Sequence, residues 1–595
     1  MNHYKSIILP SLVLLPVLAY AQLGPIIVTG TKTEQLLSES AVPVEIITSE
    51  QIRNSVATDV ADIIEMHSGL EIARNGDYGK VTSLFIRGSE SNHAVILIDG
   101  VKINPATIGG AALQNISLDI IERIEIVKGP RSSLYGSEAI GGVINIITRK
   151  LVDGRSGKVR IGIGEFGTRK TNISGFFGNN NISSGITIEQ FNTNGFPVQD
   201  ASTQDHGFDN GTINVFVDYQ MTRSDLRLSH WSAKGNVEYY FFGDLDQDFE
   251  NSSTSLVWDF ALSSEISTNF RVSSITDDIK QNQPNFLAQL DFAITDRTET
   301  ELKVDFRVGD SNAISVGLLA AKEDVNALSF GTLINQTTDI NAIYVLFQGN
   351  QKKHYYAIAA RQTDHEDFGN HNTWNIDYKF MVSEAMNIHA GAGTAFRAPD
   401  ITDRFGSGGN PYLNPETSEN IELSFDYILP NNSKLSVNFF DTSIDNLIVY
   451  VGLFPTGQMQ NLGETKISGI EFTYSAIRQN WRYAVNLLSQ NPQDITNNST
   501  LLRRAKKRAN IDISYQSGAW QAGGNYSIVG KREDFGSITL NSYQLVNAYS
   551  RYQLNKSVSI AAKIENLFDE DYETVSGYNT KGRTAYIEYS YSFEK

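Results

Sequence analysis

The stretch IERIEIVKGPRSSLYGSEAIGGVINIITRK, Ile121 to Lys150, governs how the chain is read. It holds two short apolar strands, Ile124 to Val127 and Gly142 to Thr148. The loop between them is built of Gly129, Pro130, Arg131, Ser132, Ser133, Tyr135, Gly136, Ser137, Gly141 and Gly142. Glycine frees the backbone for turns and close approach, and proline fixes one torsion. Before Glu122 the pattern is that of a small α+β domain. After Lys150 it is that of amphipathic strands almost to the end. The stretch therefore marks the junction of two domains.

Upstream, Val42 to Ile47 (VPVEII) reads as a strand, and Thr48 with Gln51 forms a capping-box pattern for a short helix. A second helix is expected after Thr58, with Val60, Ile63 and Ile64 at helical spacing, ending at Gly69. Leu84 to Gly88 reads as a strand ending. Ala94 to Ile98 is apolar on both faces, as a buried strand should be. Asp99-Gly100 is a hairpin signal, and the chain returns as Val101-Lys102-Ile103. Together these build one domain of about 120 residues.

Downstream the period is two. Val159, Ile161 and Ile163 alternate with Arg160, Gly162 and Gly164, and Ile213, Val215, Val217 and Tyr219 repeat the pattern. In the last strand Ala585, Ile587, Tyr589, Tyr591 and Phe593 share one face, with Tyr586, Glu588, Ser590 and Ser592 on the other. Soluble sandwiches alternate in the same way. A membrane barrel is favoured by the combination of an export signal, many hairpins, short Asn/Ser/Asp turns at one end and uneven loops at the other. Residues 151–595 hold about 22 strands of roughly 10 residues, the size of a plugged outer-membrane barrel.

The N-terminus supplies that signal. Lys5 is basic, Ile7 to Leu18 is apolar, and Ala19-Tyr20-Ala21 is a cleavage pattern, so residues 1–21 read as a signal peptide. The net charge of −18 excludes nucleic acid as a partner. With no cysteine there are no disulfides and no thiolate metal sites. Past the N-terminus no apolar run reaches the roughly 20 residues of a membrane helix.

Several segments resemble the TonB-dependent outer-membrane receptors, in the same order as in that family. FIRG (Phe85 to Gly88), LIDGVKIN (Leu97 to Asn104) and ERIEIVKGPRSSLYGSEAIGGVINI (Glu122 to Ile146) are similar to its plug motifs. These include Arg87, Gly88, Asp99, Gly100, Gly129, Pro130, Arg131, Tyr135 and Gly136. Phe396-Arg397-Ala398-Pro399, Asn414-Pro415-Glu416, Asn461 to Glu471 and Ile564 to Asp569 resemble its barrel motifs. The family's terminal aromatic is matched by Phe593, although Glu594 and Lys595 follow it. Within the family the likeness is to cobalamin receptors.

The resemblance implies an all-β transmembrane barrel of about 22 antiparallel strands with an N-terminal α+β plug inside it. It divides the chain into a signal peptide (1–21), a TonB box with linker (22–35), a plug (36–150) and a barrel (151–595). It implies residence in the outer membrane of a Gram-negative bacterium, in contact with outer-membrane lipid. Ile26, Ile27, Val28, Thr29 and Gly30 resemble the TonB box. An extended β-branched peptide there suits strand addition to a partner's sheet edge, which makes TonB the implied partner. Arg87 and Arg131 either pair with carboxylates on the inner barrel wall or brace their own loops.

Two long acidic loops are expected, one with Asp200, Asp205 and Asp209, the next with Asp244, Asp246 and Asp248. Oxygen-rich loops suit calcium, and solvated charge is their ordinary reading. Cobalamin receptors carry calcium-binding aspartates in corresponding loops. The resemblance therefore implies Asp200, Asp205, Asp209, Asp246 and Asp248 as calcium ligands, with no cofactor otherwise required. Ligand contacts are expected at the plug apices, Asn75 to Lys80 and Ser89 to His93, with Tyr78 and Asn92 as candidates. Tyr239 and Tyr240 line the site or belong to the aromatic girdle.

Enzyme readings find no support. Gly162-Ile163-Gly164-Glu165-Phe166-Gly167 fits G-x-G-x-x-G, but no helix follows to hold a phosphate. His365 and His371 have the wrong spacing for a zinc helix. The expected activity is TonB-dependent import of a scarce large nutrient, cobalamin first, with a ferric siderophore or haem as the alternative. A passive porin or a soluble secreted β-rich binding protein is the reading from another class.

Overall fold

The computed structural model describes residues 25–150, 153–284, 290–452 and 455–595. The signal-peptide reading, residues 1–21, lies outside them. The N-terminal region carries β1 (Ile26–Ile27), β2 (Gln35–Leu36), β3 (Glu45–Thr48), β4 (Leu70–Arg74), β5 (Thr82–Ile86), β6 (Ala94–Ile98), β7 (Val101–Lys102), β8 (Ile121–Lys128) and β9 (Gly142–Thr148). Helices α1 (Ser49–Arg53), α2 (Val60–Glu65) and α3 (Ser132–Tyr135) lie between them.

Five strands form one mixed sheet in the order β3-β8-β9-β6-β7, with β6 parallel to β9 and the other neighbours antiparallel. All five residues of β6 are buried. The Asp99-Gly100 turn has positive φ at both positions, +48° and +81°, as a tight hairpin between β6 and β7 requires. Thr48 and Gln51 complete the capping box of α1. Helix α2 starts behind Asp59, whose carboxylate accepts from the Asp62 N–H at 2.9 Å. It stops at Glu65, short of the expected Gly69. Gly69, with φ +71°, turns the chain into β4 instead.

From Gly154 to Glu594 the chain is a closed antiparallel barrel of 22 strands. Its first strand, Gly154–Gly164, pairs with its last, Thr584–Glu594, placing Val159 opposite Tyr591 and Ile161 opposite Tyr589. Lys595 stays in the ladder, exchanging two 2.8 Å backbone bonds with Arg155. On the last strand Ile587, Tyr589, Tyr591 and Phe593 face outward while Glu588 and Ser590 are buried inside. The glycine-rich Gly162 to Gly167 run is the end of one strand and a tight turn, with no helix.

The expected strand length of about 10 residues is too short for one side of the barrel. The six strands between Ser224 and Gln351 run 16 to 20 residues. At about 3.3 Å per residue they outrun a bilayer core of about 30 Å. Their outer face changes accordingly. Leu228, Trp258, Leu302 and Ile343 are exposed within an apolar band, and Lys234, Asp248, Asp296 and Asp339 are exposed beyond it. At the short-turn end the outer wall carries aromatic pairs, Trp481 with Tyr515 at 4.8 Å and Trp520 with Tyr552 at 4.6 Å. Such girdles mark the membrane interface.

The N-terminal sheet fills the barrel. Its core of Ile47, Ile64, Ile86, Ile96, Ile124 and Ile146 continues into Phe191, Phe208, Trp231 and Phe249 of the barrel wall. The two domains therefore share one hydrophobic cluster. Isoleucine and aromatic side chains of this size each stabilise by roughly 1.5–3 kcal/mol when fully buried.

Candidate functional site at the plug–barrel interface

The β8–β9 loop and the end of β5 carry two arginines into the barrel wall. Arg131 forms a two-pronged bond to Asp377, Nη1 to Oδ2 at 2.8 Å and Nη2 to Oδ1 at 3.0 Å. Arg87 reaches Glu422 at 2.9 Å and Glu471 at 3.0 Å, with Phe440 stacked 4.8 Å from its guanidinium. All five charged groups are buried. Of the two alternatives open to these arginines, pairing with the wall is the one realised. Arg87 has φ +49° and is followed by Gly88 at +77°, so the backbone there is held in the left-handed region to aim the side chain. The Asp99-Gly100 turn is clamped as well: Arg227 lies 3.1 Å from Asp99, and Arg271 donates to the Gly100 carbonyl at 2.7 Å.

The same loop holds the N-terminal segment. Gly129 and Gly136, with φ +82° and +79°, bend the chain around Pro130 and α3. Tyr135, on α3, donates its hydroxyl to the Thr29 carbonyl at 2.8 Å. Glu125 on β8, fully buried, accepts the N–H groups of Val28 (3.0 Å) and Thr29 (2.9 Å) and the Thr29 hydroxyl (2.7 Å). Asn145 on β9 donates to the same hydroxyl at 3.1 Å. Ile26 and Ile27 pair antiparallel with Leu36 and Gln35. Ile27 is buried and Ile26 is half-exposed, while Gly30 packs against Val42 and Val44. Beyond it Lys32 meets Glu301 of the barrel wall at 2.5 Å. The segment is thus a short extended strand docked on the plug by side chains rather than woven into the five-stranded sheet.

At the opposite side of the plug lie the two apices. Tyr78 is buried, edge-on to Phe191 at 5.2 Å, and its hydroxyl accepts from Lys581 at 2.9 Å. Burial, with Glu565 nearby, pushes that hydroxyl well above its ordinary range. The expected ligand contact is therefore part of the core in this arrangement. Asn92 is half-exposed, beside Gly109. Its neighbour His93 points Nε2 at Glu416 (2.6 Å), which also receives Arg397 Nε (2.8 Å) and the Ile448 N–H (2.7 Å). Tyr239 and Tyr240 close the strand Ser224–Tyr240 beside Leu245 and Asp244.

The aspartates do not assemble. Asp200 and Asp205 lie in the loop 194–207, Asp200 accepting from Asn579 at 3.1 Å and Asp205 facing solvent. Asp209 is on the strand Phe208–Gln220, engaged by Gln190 and Asn192. Asp246 and Asp248 are on the strand Asp244–Ala261, where the amides of Asn236 and Asn282 bridge them. The expected second acidic loop is a tight turn through Phe242 and Gly243. Its aspartates occupy the polar outer face of a strand that rises past the bilayer band, with Leu245 and Phe249 facing inward. Among the described residues no three His, Asp or Glu side chains are placed to hold one ion. The five expected ligands are thus not gathered around one point: Asp246 and Asp248 share two amides, and Asp200, Asp205 and Asp209 lie apart.

A family model for the β-barrel of TonB-dependent receptors matches residues 158–567, and one for the TonB-dependent receptor plug domain matches 37–143. The chain belongs to the TonB-dependent receptor family. Its members are outer-membrane transporters rather than enzymes, and TonB-dependent transport is the class of activity of this receptor. The receptor is 28% identical over 592 residues to a protein of Vibrio cholerae named vitamin B12 transporter BtuB, covering 96% of this chain and 95% of that one. Solved structures share its fold, among them two siderophore receptors. The ferric enterobactin receptor PfeA of Pseudomonas aeruginosa has a TM-score of 0.80 at 16% identity, with 93% of this receptor and 100% of PfeA covered. The siderophore receptor PirA of Acinetobacter baumannii has 0.79 at 18%, with 92% and 98% covered.

Sequence reading left wall carboxylates and loop bracing as the two options for Arg87 and Arg131, without naming the wall residues, and gave the Ile26–Gly30 strand no partner within the chain. Glu125 was detectable as a lone carboxylate in an apolar run, Ile124 to Val127. Glu416 stood within the Asn414-Pro415-Glu416 motif, whereas Glu301 and Asp377 had no such signal, since inward-facing polar residues are ordinary in a barrel.

Proposed function

We propose that this receptor imports cobalamin across the outer membrane of a Gram-negative bacterium, driven by TonB at Ile26 to Gly30. The full-length alignment with vitamin B12 transporters carries the ligand assignment. The siderophore receptors share the fold at identities below 20%, which speaks to architecture and not to cargo.

The geometry of the N-terminal strand supports the coupling. Val28 and Thr29 spend their N–H groups on a side chain, Glu125, instead of a sheet. A partner's strand edge can offer the same groups a continuous ladder, so exchange of one for the other costs little hydrogen bonding. Ligand binding at the loop-bearing end shifts the plug, the strand is released, and proton-motive force from the inner membrane acts on the plug through it. No bond in the substrate is made or broken.

Equilibrium binding of cyanocobalamin to the detergent-solubilised receptor tests the ligand. Saturable tight binding is expected; absence of binding, with a ferric siderophore bound instead, refutes cobalamin and leaves the transporter class standing. Deleting Ile26 to Gly30 is expected to abolish uptake by cells while surface binding persists. Unchanged uptake would exclude this segment as the coupling strand.

A further inference from the structure

Loop 194–207 follows the strand Ile182–Thr193 and is fastened to the plug apex Asn75 to Lys80. Its fastening converges on one side chain. Lys80 is 2% exposed, and its Nζ donates to the carbonyl oxygens of His206 and Gly207, each at 3.0 Å, and of Tyr78 at 3.3 Å. Three carbonyl dipoles aimed at one buried point repel one another unless a cation sits between them, and carbonyl oxygens are the donors calcium itself takes. Here the cation is covalently part of the plug. Burial pushes its ammonium down to about 8, against the pull of Asp77 and Glu238, so it is charged at neutral pH and donates to all three oxygens.

The surrounding bonds position those carbonyls. His206 accepts the Val198 N–H at Nδ1 (3.2 Å) and places Nε2 3.1 Å from Asp244. Ser202 donates to the same Asp244 oxygen at 2.5 Å, and Glu238 accepts the Gly207 N–H at 2.6 Å. The loop's polar contact with the plug is therefore built around an ammonium, while Asn579 holds its Pro197 to Asp200 part from the barrel side. The aspartates expected to bind calcium are engaged elsewhere by amide groups or face solvent.

We infer that Lys80 is the resident cation of loop 194–207, holding it on the plug apex with no divalent ion required. Because the lysine belongs to the plug and the carbonyls of residues 206 and 207 to the barrel loop, a shift of the plug withdraws the cation and frees the loop. A loop organised by a metal ion bound within the loops would not respond to the plug in this way.

The chain has no cysteine, so Thr203→Cys in the exposed part of the loop takes a single nitroxide label. The electron paramagnetic resonance line shape of the full-length receptor in detergent then reports loop order without any ligand. With Lys80 intact the label is expected to be immobilised, and equally so in EDTA or in excess calcium. Lys80→Met is expected to shift the line to the mobile form, and Lys80→Arg, which keeps the charge, to retain the immobilised one. Loosening by EDTA with Lys80 intact, or an unchanged line in Lys80→Met, would overturn the inference. Should Lys80→Met fail to assemble, the EDTA comparison still decides. None of these readouts involves cobalamin, so their failure and failure of the ligand assignment are separately visible.

Discussion

Truncating Arg131 to alanine strands the Asp377 carboxylate inside the barrel with its two partner nitrogens gone. Removing one member of a buried ion pair costs about 3–5 kcal/mol, most of it the penalty of the charge left behind. The expected outcome for Arg131→Ala is a lower denaturant midpoint for the folded receptor. The double replacement Arg131→Met with Asp377→Leu removes both charges and is expected to recover most of that loss. A double variant as unstable as the single one would mean that the loop backbone, not the pair, carries the effect. The same logic separates Arg87, which holds two carboxylates at once, from Arg131, which holds one firmly. Loss of Arg87 leaves two buried anions, Glu422 and Glu471, and is expected to be the more damaging.

At the scale of the element, the N-terminal strand is a latch with two acidic catches, beside the bonds from Tyr135 and Asn145 to Thr29. One is Glu125 on the plug, the other Glu301 on the wall through Lys32. Glu125→Ala removes three acceptor contacts to Val28 and Thr29 without touching the barrel. In an Ile27→Cys background thiol labelling is expected to be slow, since Ile27 is fully buried, and Glu125→Ala is expected to speed it at least tenfold. Equal rates would place the hold on the strand elsewhere. The legibility of such elements followed their physics. The capping box of α1, the Asp99-Gly100 hairpin and the buried β6 were readable because each is fixed by neighbours in sequence. Asp244 to Asp248 were misread as loop because their outer face lies above the bilayer, where the rule that outward residues are apolar no longer holds. The β4–β5 hairpin was half seen, through Leu84 to Ile86: Asn75-Gly76 after Leu70 to Arg74 is a turn signal, but the strands are separated by residues 75–81 rather than by a two-residue turn. What lies opposite Arg87 is set by the curvature of a ring hundreds of residues long, and what lies opposite Glu125 or Lys80 by segments that dock from elsewhere in the chain; no local pattern encodes either.

For the whole molecule, the boundary of the apolar band is the feature most open to measurement. Ile587 faces lipid on the seam strand, while Thr254 faces outward on a strand where the polar zone has begun. A lysine on the lipid face near mid-bilayer costs about 2–4 kcal/mol and near the interface about 0–1. Ile587→Lys is therefore expected to reduce the folded, heat-modifiable fraction on gels, and Thr254→Lys to leave it unchanged. The seam has a further consequence, in the order of events during biogenesis. Ribosomes deliver the plug first and the strand Thr584–Glu594 last, and that last strand alone can close the ring onto Gly154–Gly164. Until then Arg87 and Arg131 have no counter-charges, and the plug core lacks Phe191, Phe208, Trp231 and Phe249. A peptide of residues 37–150 alone is accordingly expected to show no cooperative thermal transition by circular dichroism. In the growing envelope, the first domain made must wait, uncommitted, for the last eleven residues of the seam strand before it has an interior to occupy.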